Sequence, residues 1–324
     1  MRLQQLRYVI AIAEGGSINA VAHSVFSSQS SLSVQVKVLE VELGITIFNR
    51  SSRGITLTPD GVEFLSYARE VVEQADLLEA RYQRGASTVH RRLSVSSQHY
   101  AFAVNAFIAF VREHDGASCE FTLRETRTAN VVDDVRTFRS DLGILYLDST
   151  NEQALRRRFA EASMAFTPLF RARPHVFVHE GHPLAALDLV PTSELARWPR
   201  YTFEQGSESA LYFSEEPLST LPCTRRIVAS DRATMTGLLR DYDGYLVSTG
   251  VRSDEMFSGI VARPLATDDV MTVGYVVQSE RRLSSLANDY IDKLDDLVIA
   301  FGGQDGVTPS KTALRRHALR SQRP

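Results

Sequence analysis

The chain has 324 residues, of which 44% are hydrophobic, and its 36 basic and 39 acidic residues leave a formal net charge of −3. That length has room for two or three globular domains, and the charge excludes a uniformly basic nucleic-acid-binding protein, so any DNA contact must be local. The sequence contains no run of about 18 uncharged apolar residues and no signal-like start, which predicts a cytoplasmic protein without a membrane partner.

The first 43 residues have the apolar spacing of three helices. The first is predicted over Leu3–Ala13 and ends at Gly15–Gly16, and the second over Ser17–Ser24, with Ser17 as its cap. In the third helix, apolar residues recur at spacings of four and three and form one stripe that is expected to face a core: Leu32, Val36, Leu39 and Leu43. Ser28 is its predicted N-cap. Two helices joined by a tight turn favour a helix-turn-helix, although an ordinary α-hairpin has the same spacing.

A hairpin is predicted after the third helix. Ile45–Phe48 and Gly54–Leu57 have the composition of short strands, and Gly44 separates them from the helix. The tip, Asn49–Arg53, holds two arginines and small hydroxyl residues, which suit phosphate oxygens or a minor groove. A solvated loop with incidental arginines is the alternative.

The segment Ser17–Arg50 contains, in order, the motifs S-x-Q-x-x-L-S-x-Q, K-x-L-E, E-L-G and F-x-R, and L-T-x-x-G follows. In these motifs and their spacing it resembles the N-terminal winged helix-turn-helix of the LysR-type transcriptional regulators. The resemblance implies a regulator that binds double-stranded promoter DNA and senses a small-molecule effector. It also implies a homodimer or a homotetramer, and RNA polymerase is a further candidate partner.

The resemblance assigns DNA binding to Gln29, Ser33 and Lys37 on the helix and to Arg50 and Arg53 on the wing. Helical spacing places Ser30 and Val34 on the same outward face, so they are also candidates for DNA binding. Their chemistry agrees, because glutamine can pair with adenine edges while lysine and arginine bind phosphates. Ser30 stands where the family usually has proline, and Val34 where it often has arginine. Val34 cannot bond guanine but could contact a thymine methyl group, which predicts weaker phosphate anchoring or a different base preference.

The winged helix-turn-helix is expected to occupy residues 1–58, followed by a linker helix over 59–84 and a hinge over 85–91. Thr58-Pro59-Asp60 predicts the start of that helix, because it combines a capping hydroxyl, a proline at the first position and an acid. Six apolar residues of the linker helix have the spacing of a coiled-coil seam: Phe64, Ala68, Val71, Ala75, Leu78 and Tyr82. Packing on its own domain is the alternative to dimerisation, which would present two recognition helices to an interrupted dyad.

Strand and helix patterns alternate from residue 92 to residue 301, which predicts a parallel α/β sheet. The resemblance implies an effector-binding domain that is similar to periplasmic binding proteins and has two lobes. Lobe I is expected at about 92–165 and 265–301 and lobe II at about 166–264, with boundaries near Phe166 and Pro264. The predicted fold class is therefore α/β, with a winged helix-turn-helix and a linker helix ahead of a two-lobed effector domain.

Ligands of open α/β sheets lie beyond the carboxyl ends of strands, near helix N-termini that favour anions. Eight residues at such ends are candidates for effector binding: Ser96, Ser97, His99, Thr126, Thr128, Thr202, Phe203 and Ser248. Their donors suit a small carboxylate or a polar metabolite, and Ser97 is the leading candidate. The alternative is that serine and threonine cap these turns without binding a ligand.

Residues 302–324 differ in composition from the rest of the chain. They begin with G-G-Q-D-G, and Lys311–Pro324 carries five basic residues and no acid. This composition predicts a disordered basic tail, with auxiliary phosphate binding as the alternative.

Two further functional classes stay open. The cysteines, Cys119 and Cys223, form no C-x-x-C pair, so neither a disulfide framework nor a zinc site is predicted, but a thiol-redox sensor is an alternative. A metabolite-binding protein without a DNA-binding role is another. The sequence has no G-x-S-x-G, H-E-x-x-H, G-x-G-x-x-G or P-loop motif, and therefore predicts no enzyme, no cofactor and no metal.

Overall fold

The computed structural model describes residues 1–15, 21–22, 28–51, 54–82, 91–115, 119–206, 211–251, 258–302 and 306–321. In chain order they form a helical domain with a hairpin, a 24-residue helix and a two-lobed α/β domain. Within these ranges, no helix is both long and apolar enough to cross a membrane. The predicted cap Ser17 and the hinge residues 85–90 lie outside the described ranges.

The N-terminal domain contains helices α1 (Leu3–Gly15) and α2 (Gln29–Leu43), helical residues 21–22 between them, and a hairpin of β1 (Phe48–Ser51) and β2 (Gly54–Leu57). Ser28 caps α2, because its Oγ accepts a hydrogen bond from the backbone N–H of Ser31 at 3.2 Å. Gly44 ends the helix with a φ of 71°, a left-handed conformation that glycine adopts without strain.

Most residues of the apolar stripe of α2 face the core, as predicted. Leu32, Val36 and Leu39 are buried in one hydrophobic cluster with residues of α1. Leu43 is different, because 37% of its surface is exposed in the last turn, where the chain leaves the helix through Gly44. The prediction that Leu43 faces the core is therefore wrong.

The first strand of the hairpin begins later than predicted. The buried carboxylate of Glu40 accepts hydrogen bonds from the backbone N–H groups of Ile47 at 2.8 Å and Phe48 at 3.2 Å. These bonds hold the chain before β1 against α2, so pairing with β2 begins only at Phe48. The expected strand Ile45–Phe48 is wrong, whereas β2 has the predicted bounds.

The linker helix α3 (Pro59–Tyr82) begins as predicted, since the Oγ1 of Thr58 accepts a hydrogen bond from the backbone N–H of Gly61 at 2.8 Å. Ala68 of the predicted seam is buried within its own chain, as is the neighbouring Leu65. Val71 stays exposed. The seam is thus divided, because its first part packs intramolecularly, and the side chains of Leu78 and Tyr82 lie outside the described residues.

Lobe I is built on a six-stranded sheet in the order β14-β6-β13-β5-β3-β4. Its strands are β3 (Arg91–Ser97), β4 (Cys119–Glu125), β5 (Leu142–Leu147), β6 (Met164–Ala172), β13 (Met271–Gln278) and β14 (Thr308–Pro309). Its helices include α4 (Ala101–Glu113), α5 (Thr128–Arg136) and α6 (Glu152–Glu161). β3 is parallel to β4 and β5, but β13 is antiparallel to β5 and β6. The sheet is therefore mixed, because β13 enters it from lobe II, and the predicted parallel arrangement holds for β3, β4 and β5 but not for β13.

Lobe II contains a four-stranded sheet in the order β11-β7-β12-β8 and a parallel pair of β9 and β10. Its strands are β7 (His175–His179), β8 (Val190–Pro191), β9 (Arg200–Phe203), β10 (Arg226–Ala229), β11 (Leu246–Ser248) and β12 (Ile260–Ala266). Its described residues form the helix α7 (Arg232–Asp241) and the 3-10 turns Pro183–Ala186, Thr192–Arg197 and Leu211–Phe213. An isolated bridge between Arg200 and Tyr245 joins the strand pair to the larger sheet.

The chain passes between the lobes at residues 173–174 and again at 267–270. Both crossings come later than the predicted boundaries near Phe166 and Pro264. The reason is strand pairing: Phe166 still pairs with Val276 in the sheet of lobe I, and Pro264 pairs with His175 in that of lobe II.

The C-terminal residues are ordered, so the predicted disordered tail is wrong for residues 306–321. β14 pairs with β6, and helix α9 (Lys311–Ser321) packs on α8 (Ser285–Ala300). Arg316 donates two hydrogen bonds of 2.7 Å to the fully buried carboxylate of Asp295. Arg320 pairs with Asp292 and Asp296 of the same helix. Arg316 and Arg320 have no acidic residues near them in the sequence, and they pair instead with acids of the preceding helix α8.

Candidate functional site

The side of α2 that faces away from the core carries four of the five DNA-binding residues predicted on this helix. Gln29, Ser30, Val34 and Lys37 are exposed, and Ser33 is half-buried. All five lie on one helix whose opposite side is fixed in the core of the domain. Their side chains are therefore presented together on a rigid element.

The hairpin supplies the second predicted DNA contact. In the hairpin, Arg50 of β1 pairs with Ile55 of β2. The next pair, Ser51 with Gly54, adjoins the turn. The side chain of Arg50 and the whole of Arg53 lie outside the described residues. Their part in DNA binding therefore stays a prediction.

A closed cleft lies between the two lobes, at the beginnings of α4 and α7 and the ends of β9 and β11. It is lined by His99, Tyr100, Phe177, Phe203, Arg232 and Ser248, among others. The cavity has a volume of about 20 Å³, which is room for one water molecule but not for a metabolite. The two lobes thus contact each other through the groups that line the cleft.

His99 of lobe I is the centre of these contacts. Its ring stacks on that of Phe203 in lobe II, with the centroids 3.8 Å apart and an interplanar angle of 2°. Its Nδ1 lies 2.9 Å from both carboxylate oxygens of Glu215, and its backbone N–H donates to the same carboxylate. One carboxylate of lobe II thus contacts both the backbone N–H and the Nδ1 of His99.

The charges around this pair shift two pKa values. Burial by itself lowers the pKa of His99, but the charge of Glu215 and its hydrogen bond outweigh that effect, so the net shift is upward. The neighbouring Glu216 is buried, and burial together with the charge of Glu215 raises its pKa to about 7. Protonation of His99 is therefore favoured, whereas Glu216 gains a proton near neutral pH.

Other polar contacts also close the cleft. Hydrogen bonds that join the two lobes include those from Arg127 to Glu204 at 2.7 Å, from the Nε of Arg232 to Glu125 at 3.0 Å, and from the Tyr146 hydroxyl to the carbonyl of Ser214 at 3.2 Å. Two of them are also ion pairs: Glu125, which pairs with Arg232, ends β4, and Arg127, which pairs with Glu204, directly precedes α5. Separation of the lobes must break them or replace them with contacts to a ligand.

Three of the eight predicted effector-binding residues line the cavity: His99, Phe203 and Ser248. The other five have partners within the chain: Ser96 with Asp134, Ser97 with the carbonyl of Gln98, Thr126 with Asn130, Thr128 with Gln98, and Thr202 with Arg226. Ser97, the leading candidate, is fully buried and donates to that carbonyl at 2.6 Å. These hydroxyls form hydrogen bonds within the chain at the strand ends. Such bonds are what the alternative interpretation expects, in which serine and threonine cap these turns without binding a ligand.

The sequence analysis did not identify Glu215 and Arg232 as cleft residues. Glu215 follows a 3-10 turn, and Arg232 is the first residue of α7, after the cap Asp231. The sequence signal that could have indicated Glu215 is the acidic doublet Glu215-Glu216, which stands in a region without strand or helix periodicity. Its carboxylates lie in the interior, where an acid needs a specific partner.

Phe138 lies where the effector domain contacts the N-terminal domain. It is buried in the same hydrophobic cluster as Val9 and Leu65, and the guanidinium carbons of Arg69 and Arg281 lie 5.3 and 5.9 Å from its ring centroid. Its φ of 58° is left-handed, a conformation that costs a non-glycine residue about 1–3 kcal/mol. Phe138 thus combines a left-handed backbone with burial at the contact between the domains.

Helix α5 connects this contact with the cleft. At its start, the Oγ1 of Thr128 accepts a hydrogen bond from the side chain of Gln98 at 2.6 Å, and the preceding Arg127 pairs with Glu204 of lobe II. Phe138 is the second residue after its end. Helix α5 thus lies between contacts with lobe II at one end and the N-terminal domain at the other.

A helix-turn-helix with a hairpin wing, a long helix and a two-lobed α/β domain with an interlobe cleft together define a DNA-binding regulator with a ligand-binding domain. The model of the lysR family of bacterial regulatory helix-turn-helix proteins matches residues 3–62, and that of the LysR substrate binding domain matches residues 92–298. The second match alone covers more than half of the chain. The chain therefore belongs to the LysR family and is a DNA-binding transcription regulator with an effector-binding domain.

Similar proteins include other regulators. YnfL of Escherichia coli K12, an uncharacterized HTH-type transcriptional regulator, is 28% identical over 215 residues, which cover 65% of this chain and 69% of that protein. The transcriptional dual regulator GltC of Bacillus subtilis 168 is 26% identical over 306 residues, which cover 90% and 96%. The structure of full-length OxyR from Pseudomonas aeruginosa superposes with a TM-score of 0.59 at 23% identity and covers 91% of this chain and 94% of its own. This last likeness shows the fold.

The two alternatives from the sequence gain less support. The family match over residues 3–62 assigns a DNA-binding domain, which a protein that only binds a metabolite would not need. Cys119 on β4 and Cys223 in lobe II are both free and half-buried. Because they belong to different lobes, the described contacts do not pair them as a redox couple.

Proposed function

We propose that this protein controls transcription by coupling the state of the interlobe cleft to the placement of two recognition helices on an interrupted dyad. The observation that carries the proposal is α5, which starts among the cleft contacts and ends two residues before the buried Phe138. A ligand shifts an equilibrium only as far as it binds one arrangement better than the other. The effector is therefore proposed to bind a lobe arrangement different from the closed one.

The proposed effector is a small anion such as a carboxylate. The support comes from Glu215, whose carboxylate already accepts hydrogen bonds from the backbone and the ring of His99. Arg127 and Arg232 provide further positive charge at the cleft, although each is paired with an acid of the opposite lobe. A free carboxylate could take the place of Glu215 when the lobes separate.

The proposed functional unit is a homodimer, or a homotetramer formed from two dimers. Tyr67 and Val71 are exposed one turn apart on the linker helix α3, and a second copy of this helix would cover them. The dimer would act in the cytoplasm, where it binds double-stranded promoter DNA through Gln29, Ser30, Ser33, Val34, Lys37, Arg50 and Arg53. RNA polymerase, bound next to it, is the proposed partner through which transcription changes.

The first experiment tests DNA recognition without assuming a target. Fragmented genomic DNA of the host is captured with the purified full-length protein at physiological salt and sequenced. We expect enrichment of a few interrupted dyads, and we expect the double variant Gln29→Ala/Lys37→Ala to lose it, since both side chains are exposed and their removal leaves the core intact. Recovery of the same random fragments with both proteins would contradict the proposal.

The second experiment tests the effector class. Thermal unfolding of the wild type is followed in the presence of small carboxylates, amines and uncharged sugars as probes. A ligand that binds the folded state raises the unfolding temperature by mass action, and we expect this from carboxylates. Any probe that does so is then tested for its effect on affinity for an enriched dyad. Stabilisation by amines alone would contradict the anionic effector.

A further inference from the structure

Three valines form an exposed row on the outward side of α2. Val34, Val38 and Val41 follow one another at intervals of four and three residues, which places them on one face of the helix. They expose 57%, 51% and 71% of their surfaces, whereas Leu32 and Leu39 on the opposite side are buried. The core of the domain therefore makes no use of this row, and of the three only Val34 was expected on the DNA-binding surface.

The partner that fits the row is the major groove of DNA. The family match over residues 3–62 makes α2 the second helix of a helix-turn-helix, the one that enters the major groove. The row is continuous with Ser30 and Lys37, which are exposed on the same side. Lys37 is the only basic residue of α2, so most of this face is apolar rather than charged. The side chains of the valine row can form no hydrogen bonds to base edges.

The apolar group that a major groove presents is the 5-methyl group of thymine. We propose that Val34 and Val38 are specificity residues that pack on thymine methyl groups, so that the protein selects its DNA sites partly by methyl contacts. The inference rests on the proposed function, because it assumes that α2 occupies the groove of specific sites. Val41 is left out, because it lies in the last turn of α2, the farthest of the three from the N-terminal residues with which a recognition helix contacts base edges.

The expected size of the effect follows from the burial of one methyl group. Removal of a methyl group from an apolar contact costs about fourfold in affinity, which corresponds to about 0.8 kcal/mol. A dimer repeats each contact in two half-sites. Loss of one symmetric pair of methyl groups is therefore expected to weaken binding about 16-fold, if the two half-sites contribute equally.

The test uses the full-length protein and DNA that it selects itself. Specific sites are enriched from a random-sequence duplex library and resynthesised with deoxyuridine in place of thymidine, which removes the methyl group and keeps the base pairing. Dissociation constants of both forms are measured by fluorescence anisotropy, first with full replacement and then one symmetric pair of positions at a time. We expect a loss of at least about tenfold that comes from a few positions.

Variants assign the methyl effect to the two valines. In Val34→Ala/Val38→Ala the penalty for deoxyuridine should fall below about twofold, because the apolar partner of the methyl groups is gone. Alanine is also the better helix former, so α2 stays folded. Val41→Ala is the matched control: the same substitution at a more exposed position of the same helix should leave the penalty unchanged.

The outcomes separate this inference from the proposed function. If no interrupted dyad is enriched, the proposed mode of DNA recognition fails and takes the inference with it. If dyads are enriched but deoxyuridine leaves the affinity unchanged, the methyl contact alone is overturned. A penalty that persists in Val34→Ala/Val38→Ala, or that disappears in Val41→Ala instead, would also overturn it.

Discussion

The outward face of α2 and the cleft between the lobes differ in where their side chains find partners. On α2, Val34, Val38 and Lys37 extend into solvent. In the cleft, His99 and Glu215 contact each other across the lobes, and the remaining cavity holds about 20 Å³. A DNA partner therefore adds contacts to α2, whereas an effector must exchange contacts that already exist. The affinity of the cleft for an effector is therefore the difference between the contacts that the effector makes and the interlobe contacts that it replaces. A site of this kind is suited to a conformational switch.

The largest effect is expected where the two regions are joined. Phe138→Ala removes a ring that is buried between the domains, and a truncation of this kind costs about 3–5 kcal/mol of unfolding free energy. We expect a loss of about 3 kcal/mol in urea unfolding followed by circular dichroism. Ile108→Ala, at an exposed position of α4, is the control and should stay within about 0.5 kcal/mol. Equal losses in both variants would refute the role of Phe138 as the contact between domains.

The cleft, unlike α2, should make stability depend on pH. Because the pKa of Glu216 is raised to about 7, the folded protein keeps a proton that the unfolded chain releases near pH 4.5. Folding is therefore weakened as pH rises from about 4.5 to about 7, by roughly 3 kcal/mol from this group. His99 acts in the same direction, since its pKa is also raised and the stability of its protonated pair is lost as pH rises through that value.

The measurement compares Glu216→Gln with the wild type at several pH values. Trp198 is the only tryptophan and lies in lobe II, so its fluorescence during urea unfolding follows the domain that contains the cleft. The glutamine variant should gain stability relative to the wild type between pH 5 and pH 8, because it has no carboxyl group to ionise. A difference that does not change with pH would show that Glu216 titrates normally.

The smallest effect on stability is expected on α2. Lys37→Ala should change the unfolding free energy by less than about 0.5 kcal/mol, because the side chain is exposed. Its effect should lie in the salt dependence of DNA binding, whose logarithmic slope falls by about 0.9 per phosphate contact and thus by about 2 for a dimer. Gln29→Ala should weaken binding without changing this slope. An unchanged slope in Lys37→Ala would remove this lysine from the phosphate contacts.

The same comparison explains how much of the molecule the sequence could predict. The core side and the outward side of α2 follow from helical periodicity, because Leu32, Val36 and Leu39 are local in sequence. The cleft is assembled from residues as distant as His99, Glu215 and Arg232, and no local pattern brings them together. Hydroxyls at strand ends suggested Ser97, but that side chain already has a partner in the chain.

The C-terminal helix shows the same limit. Its basic residues predicted a disordered tail, since the sequence around them contains no acid that could pair with them. The partners of Arg316 and Arg320 lie on α8, more than 20 residues earlier. Charge patterns within one segment therefore do not predict pairing between two segments.

The most direct test of the coupling between cleft and DNA needs no effector. Glu215→Ala removes the carboxylate that ties lobe II to His99, and Phe138→Leu keeps an apolar side chain but alters the contact between the domains. Affinity for an enriched dyad is measured for the wild type, both single variants and the double variant. We predict that Glu215→Ala changes the affinity about fivefold or more in the wild type and clearly less in the Phe138→Leu background. The same change in both backgrounds would contradict coupling through α5 and Phe138.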